Sequence, residues 1–151
     1  MNSYTIFFLM CLLSVSGFAQ VSQSEQDALK DLHRFTQGEQ WKVTWDLNED
    51  ITNWKGVTIE NDRVVGLDLS SNALKGELPS SLGNLKFLKK LDLSENDLSG
   101  ELPDQLAALK SLEVLAVGKN TFSGEIPESL YQIKALDIEN NVFESLASNP
   151  S

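Results

Sequence analysis

The chain has 151 residues, a formal net charge of −10 at pH 7 and a single cysteine. This length predicts no more than one domain. The acidic balance argues against a nucleic-acid-binding protein, which needs a basic surface, and against adsorption to an anionic membrane.

The first segment of the chain predicts a cleaved secretory signal. Residues 1–20 contain no Asp, Glu, Lys or Arg, and Ile6–Val15 form a mostly apolar run. This run is too short to span a bilayer, and Gly17 and Ala19 are small residues of the kind that precede a cleavage site. We therefore expect residues 1–19 to be a signal peptide and the mature chain not to insert into a membrane. The alternative is a buried N-terminal helix.

Cysteine usage and glycosylation motifs bear on the compartment of the mature chain. Cys11 lies inside the predicted signal, so the mature chain is expected to have neither a disulfide nor a thiolate metal site. The sequence also contains no Asn-x-Ser/Thr sequon. A secreted protein with neither feature indicates the periplasm, the cell envelope or the medium of a bacterium.

The stretch SEQDALKDLHRF predicts an amphipathic helix. Ser24 and Asp27 are spaced like a capping box at its start, and Gly38 is expected to follow its end. His33 is expected to be solvated on this helix. One face of the helix carries four apolar residues, Ala28, Leu29, Leu32 and Phe35.

Three copies of one pattern, L-x-x-L-x-L-x-x-N-x-L-x-G-x-[LI]-P-x-x-L, follow between Val64 and Leu130. Their asparagines, Asn72, Asn96 and Asn120, recur at intervals of 24 residues. Apolar residues that alternate with polar ones predict a short, half-buried strand in each copy. The Asn, Gly and Pro positions of each copy predict turns. A fourth copy around Leu136 and Ile138 is shorter, since Asn141 follows Asn120 by only 21 residues.

These copies resemble plant-type leucine-rich repeats of 24 residues with an LSGxIP signature, over Val64–Phe143. The resemblance implies an α/β solenoid: a short horseshoe segment with parallel β-strands on its concave face and a helical N-terminal cap. The shortened copy is either a closing repeat or the point where a longer array is truncated.

The segment before the repeats resembles the N-terminal cap of the same family. Trp54, Gly56 and Val57 match its W-x-G-V-x-C pattern, but Ile59 stands where the cysteine is expected. The resemblance therefore implies a cysteine-free cap that is held by packing. The expected division of the chain is a signal at 1–19, a cap at 20–63, repeats at 64–143 and a tail at 144–151.

Residues for catalysis are scarce in this sequence. His33 is the only histidine, no serine lies in a nucleophile-elbow sequence, and no glycine-rich phosphate loop is present. Paired carboxylates are expected by chance in a chain with 22 acidic residues. We therefore expect no enzymatic activity, no cofactor and no metal site.

The resemblance implies that the outward side chains of the strands line a concave recognition face. Stacked aspartates on that face repel one another, so Lys90 is expected to be their partner. Glu95 and Lys119 flank the face. The candidate binding residues on it are Asp68, Ser70, Lys90, Asp92, Ser94, Val114, Ala116, Gly118, Asp137 and Glu139.

The function expected from the sequence is that of a secreted, non-enzymatic binding module. By resemblance, its partner is a protein or a peptide. One alternative is a carbohydrate or cell-wall binder that stacks sugars on Trp41, Trp45 or Trp54. Another is a structural envelope protein whose end repeats stack edge to edge in self-association.

Overall fold

A computed structural model describes residues 20–144 of the chain. The predicted signal peptide, which includes Cys11, and residues 145–151 of the predicted tail lie outside the described residues.

The described residues form a solenoid of short strands and short return segments. Each proline of the repeat, Pro79, Pro103 and Pro127, begins a return segment of one or two helical turns. The strands are β1 (Val57–Glu60), β2 (Arg63–Asp68), β3 (Lys75–Glu77), β4 (Lys90–Asp92), β5 (Asp97–Gly100), β6 (Val114–Ala116), β7 (Thr121–Phe122) and β8 (Ala135–Asp137). The α-helices are α1 (Gln23–Phe35) and α2 (Asp104–Ala107), and 3₁₀ turns cover Gly38–Gln40, Ile51–Asn53, Ser80–Asn84 and Glu128–Gln132.

The strands form two sheets, with the orders β1-β2-β4-β6-β8 and β3-β5-β7. β2, β4, β6 and β8 are parallel and in register, so Asp68 is aligned with Asp92, then Ala116, then Asp137. The register predicted from the repeat is therefore confirmed. The sequence did not predict β1, which pairs antiparallel with β2 and closes one edge of the main sheet.

Inward leucines from each turn of the solenoid form one continuous core. In the central turn Leu91 and Leu93 are 0% exposed, and Leu82, Leu106 and Leu130 of the return segments are also buried. The fourth turn is less well covered, because Leu136 and Ile138 are only partly buried.

The asparagines of the repeat form a ladder along one side of the core. Oδ1 of Asn96 accepts hydrogen bonds from the backbone N–H groups of Asn72 and Leu74, both at 3.0 Å. Its Nδ2 donates to the carbonyl oxygens of Leu69 and Leu93, both at 2.9 Å. Amides that would otherwise be buried without a partner are thereby satisfied where the chain leaves each strand.

The ladder extends beyond the three regular repeats in both directions. Asn141 of the short fourth turn accepts from Phe122 N at 2.9 Å and donates to Val117 O at 3.0 Å. At the other end, Asn72 accepts from Val43 N at 2.8 Å and donates to Val43 O at 3.1 Å. The ladder therefore begins in the segment that precedes the repeats.

The helix of the cap differs from its prediction in two places. Its N-cap is Ser22, whose Oγ lies 3.4 Å from Glu25 N and donates to Glu25 Oε2 at 2.6 Å; the predicted Ser24 and Asp27 pair is wrong. Phe35 is 50% exposed, so the predicted apolar face ends at Leu32. Thr36 takes the inward position next to the helix end, where its hydroxyl donates to Leu32 O at 2.6 Å.

Three tryptophans and one histidine fill the interior of the cap. Trp45 and Trp54 are stacked with ring centroids 5.0 Å apart, and Trp41 packs edge-on against Trp45 at 5.0 Å. His33 lies 5.0 Å from the Trp41 ring and is only 3% exposed, so the predicted solvated histidine is wrong.

Candidate functional site

The outward positions of the four parallel strands form a continuous surface. One column across the strands consists of Gly66, Lys90, Val114 and Ala135. The next column consists of Asp68, Asp92, Ala116 and Asp137. Neighbouring strands of a sheet are about 4.8 Å apart, so the side chains of each column are direct neighbours on one face. Gly66 has no side chain and is buried against Thr58 of β1.

The first two strands present a charged part of this face. Lys90 Nζ lies 3.5 Å from Asp68 Oδ2, which agrees with the expected partnership. The hydroxyl of Ser70 donates to Asp68 Oδ1 at 2.8 Å, and Ser94 makes the same bond to Asp92 at 2.7 Å. Partial burial raises the pKa of Asp68, but the Ser70 hydrogen bonds and the Lys90 charge outweigh it, so the pKa lies below its ordinary value.

A second charged row flanks this face where the chain turns out of each strand. Lys119 Nζ lies 2.7 Å from Glu95 Oε1, and Ser71 Oγ donates to Glu95 Oε2 at 3.0 Å. The hydrogen bond from Lys119 and then that from Ser71 lower the pKa of Glu95. The same contact with Glu95 raises the pKa of Lys119, so both groups stay charged over the physiological range.

The third and fourth strands present smaller groups. Val114 and Ala116 are half-buried, and they offer an apolar area beside the charged strands. Gly118 was predicted to line the open face, but it is buried beneath Asp137: a Cβ built on it lies 2.6 Å from the Asp137 carboxylate oxygens. Glu139 is exposed, and its backbone N–H donates to Asp137 Oδ1 at 3.1 Å.

The tryptophans of the cap do not offer a stacking surface. Trp41, Trp45 and Trp54 are each between 3% and 5% exposed. Their indole N–H groups donate to backbone carbonyls at 2.9 to 3.0 Å, so no indole donor is left for a ligand. These three residues pack in the interior of the cap and do not present a ring face for a sugar.

One feature of the surface was missed by sequence reasoning. A cavity of about 430 Å³ lies between the cap and the first strand of the face. It was missed because the ladder bond between Val43 and Asn72, which joins residues 29 apart in the sequence, has no local signal. Its lining consists of Lys42, Val43, Lys55, Gly56, Asp68, Leu69, Ser70, Ser71 and Asn72.

Residues 20–144 contain neither a membrane-spanning helix nor a metal-ligand cluster. No helix in this range is long and apolar enough to cross a bilayer. Its histidine and acidic side chains also form no group of three that would hold a metal ion.

The sequence of this chain is similar to known leucine-rich repeats. The sequence model of the Leucine Rich Repeat family matches residues 63–85 and 87–109. Receptor-like protein 36 of Arabidopsis thaliana is 38% identical over 98 residues, which is 58% of this chain and 12% of that protein.

Two solved structures from Arabidopsis thaliana resemble the chain over most of its length. The LRR ectodomain of the receptor kinase SOBIR1 is 28% identical, with a TM-score of 0.69 over 83% of this chain and 71% of that one. A chain of the BIR3–SERK2 complex is 30% identical, with a TM-score of 0.64 over 77% and 68%. The chain therefore carries leucine-rich repeats and has the leucine-rich repeat solenoid fold seen in plant ectodomains, as its sequence predicted.

Proposed function

We propose that this chain is a secreted, non-catalytic binding module that recognises a protein or a peptide through the concave face of its main sheet. The observation that carries the proposal is the register of β2, β4, β6 and β8, which aligns their outward side chains into one surface. Charged groups at Asp68 and Lys90 lie next to small groups at Val114 and Ala116 on this surface. Such a surface suits a partner with a polar and an apolar contact.

The comparisons support a protein or peptide partner. One of the solved structures that the chain resembles is a complex of two proteins, BIR3 and SERK2. The proposal includes the division expected from the sequence: a signal at 1–19, a cap at 20–63, repeats at 64–143 and a tail at 144–151. It also includes release of the mature chain from the cell, into the envelope or the medium.

The size of the face bears on the strength of binding. Four strands with three outward positions each give twelve positions, but Gly66 and Gly118 are buried. About ten residues therefore face a partner, compared with about 20–30 residues a side in an ordinary stable interface. A partner that contacts the concave face alone therefore binds weakly and transiently. A tighter complex has to include the flanking row of Ser71, Glu95 and Lys119 or the edge of the cap.

A capture experiment tests this proposal. The full chain is immobilised and exposed to secreted and envelope extracts, and captured partners are identified and then titrated. Ala116→Arg adds bulk at the centre of the face and is expected to abolish capture. Ala108→Arg adds the same bulk to an exposed position of a return segment and is the matched control.

A charge variant distinguishes long-range electrostatic attraction of the partner from direct contact with it. Lys90→Glu is expected to slow association and change its salt dependence, as charges at the rim of an interface do. If Ala116→Arg and Lys90→Glu both bind as the wild type does, the concave face is not the site.

Self-association remains the second candidate, and the free edge of β8 favours it. Within residues 20–144, β8 pairs only with β6, while β1 closes the opposite edge of the main sheet. An exposed strand edge is a template for pairing with another chain. A mass that rises with concentration in analytical ultracentrifugation would support this candidate, and a concentration-independent monomer would exclude it.

A further inference from the structure

The distribution of ion pairs singles out two lysines. Of the 12 lysine and arginine side chains, seven lie within 4.0 Å of a carboxylate in the described part of the chain. The five that do not are Lys30, Lys42, Lys55, Lys86 and Lys110. Two of these five, Lys42 and Lys55, line the same cavity of about 430 Å³ between the cap and the concave face. In a chain with a net charge of −10, this is a local reversal of sign.

The backbone beneath both lysines is held in place by the structure around it. Lys42 N donates to Asn72 O at 3.0 Å, and the next residue, Val43, is bonded twice by the Asn72 amide. Lys55 O accepts from the indole Nε1 of buried Trp45 at 2.9 Å. Both cationic side chains therefore project from loop backbone that is fixed by these hydrogen bonds, which favours a site of defined shape.

The carboxylate that lines the cavity and the one that the charge of Lys42 affects both have other partners. Asp68, which lines it, accepts from Ser70 and pairs with Lys90. Glu95, whose pKa the charge of Lys42 helps to lower, is hydrogen-bonded first to Lys119 and then to Ser71. The ammonium groups of Lys42 and Lys55 therefore retain donors for a ligand.

We infer that this cavity binds the carboxylate side chains of an acidic peptide segment, with Lys42 and Lys55 as its cationic contacts. The inference rests on the proposed function and deepens it, because it names the chemistry of the partner. Val43 is 49% exposed and gives the cavity an apolar wall for the stem of a Glu or Asp side chain. A peptide seated here continues onto the concave face at Asp68 and Lys90. At 0.1 M ionic strength the Debye length is about 10 Å, so carboxylates of the chain that lie farther than this from the cavity are largely screened from it.

A titration with defined peptides tests the inference. The full chain is labelled with ¹³C at lysine, and the Cε–Hε signals are followed during addition of an acetylated, amidated tetraglutamate peptide. The Lys42 and Lys55 signals are expected to shift and saturate, while those of Lys86 and Lys110 shift little. Tetraglutamine of the same form is the neutral control. Tetraglutamine with a free carboxyl terminus tests whether a chain end supplies the carboxylate equally well.

Matched double variants make the test specific. Lys42→Gln with Lys55→Gln is expected to weaken tetraglutamate binding about tenfold, as expected for two exposed ion pairs. Lys86→Gln with Lys110→Gln removes the same charge from exposed positions that do not line this cavity, and it should leave the affinity within about twofold. Equal shifts of all four lysines, equal losses in both variants, or no saturation would overturn the inference.

The same peptides separate this inference from the proposed function. If Ala116→Arg abolishes partner capture while tetraglutamate fails to saturate, only the cavity is wrong. If tetraglutamate saturates while Ala116→Arg still captures the partner, the cavity stands and the concave face is not the recognition surface.

Discussion

Among single residues, Asn96 makes the clearest contribution to stability. Its side-chain amide accepts from two backbone N–H groups and donates to three carbonyls at 2.9 to 3.1 Å, joining two turns of the solenoid. Asn96→Ala removes the acceptor of the Asn72 and Leu74 N–H groups and the donor to Leu69 O, which we expect to lower the free energy of unfolding by about 1–3 kcal/mol. Urea denaturation measures the change. Asn84→Ala, at an exposed position of a return segment, is the control and should stay within about 0.5 kcal/mol of the wild type.

His33 predicts a dependence of stability on pH. Burial against Trp41 and Trp45 lowers the pKa of His33 from 6.5, and the nearby Glu39 charge opposes this only in part. The unfolded chain therefore binds a proton more readily than the folded one below about pH 6.5, so stability falls as the pH decreases through that range.

The measurement is a set of denaturation curves between pH 7.5 and about 5. His33→Gln keeps a polar group near the Thr44 hydroxyl, which lies 3.0 Å from His33 Nε2, but it cannot take up a proton. We expect the difference in stability between the wild type and this variant to shrink or reverse as the pH falls. A constant difference across the range would show that His33 does not titrate on unfolding.

Residues with non-local contacts are those that the sequence did not place correctly. The sequence pattern of the helix predicted an exposed His33. The residue is buried because Trp41 and Trp45, which follow the helix in the chain, pack against it. Gly118 occupies an outward position by its register, but Asp137, 19 residues later, covers it. In contrast, the register of Asp68 with Asp92 could be predicted, because the 24-residue period sets it directly.

At the level of elements, the start of α1 provides a prediction with an internal control. Ser22 bonds both the N–H and the carboxylate of Glu25, whose Oε1 also accepts from Val64 N at 3.0 Å. Ser22→Ala removes the cap and a partner of a carboxylate that is only 2% exposed, at a cost of about 0.5–2 kcal/mol. Ser24→Ala, at the start predicted from the sequence, should cost much less. Thermal melts of both variants distinguish the two starts.

The same carboxylate explains why the sequence pointed to the wrong cap. Both Ser22 and Ser24 are followed three residues later by an acidic residue, so the local pattern fits either start. The start at Ser22 is the one that forms, because the buried backbone N–H of Val64, 39 residues after Glu25, needs the Glu25 carboxylate as its acceptor.

The hairpin of β1 and β2 was also not predicted from the sequence. Its turn residues, Asn61 and Asp62, both have positive φ and form a tight connection, but the pattern of the repeat begins only after it.

For the whole molecule, the solenoid predicts a gradient of stability from the cap to the last turn. Each turn contacts only its neighbours, so the stability of a turn depends on how well both sides are covered. The cap side is closed by β1 and by the stacked tryptophans, whereas β8 has one strand neighbour within the described residues. Leu91 and Leu93 in the middle are 0% exposed, but their counterparts Leu136 and Ile138 are only partly buried.

Hydrogen–deuterium exchange of the native chain measures this gradient. We expect the amides of β4 and β6 to exchange slowest, at rates close to those set by global unfolding. The amides of β8 and of Asn141–Glu144 should exchange much faster, through local opening of the last turn, even though Val142 N and Glu144 N each bond a carbonyl at 2.9 Å. Protection of β8 equal to that of β4 would contradict the gradient and would mean that another element or chain covers the last turn in solution. Repeating the measurement at two protein concentrations separates those cases, because only pairing between chains strengthens as the concentration rises.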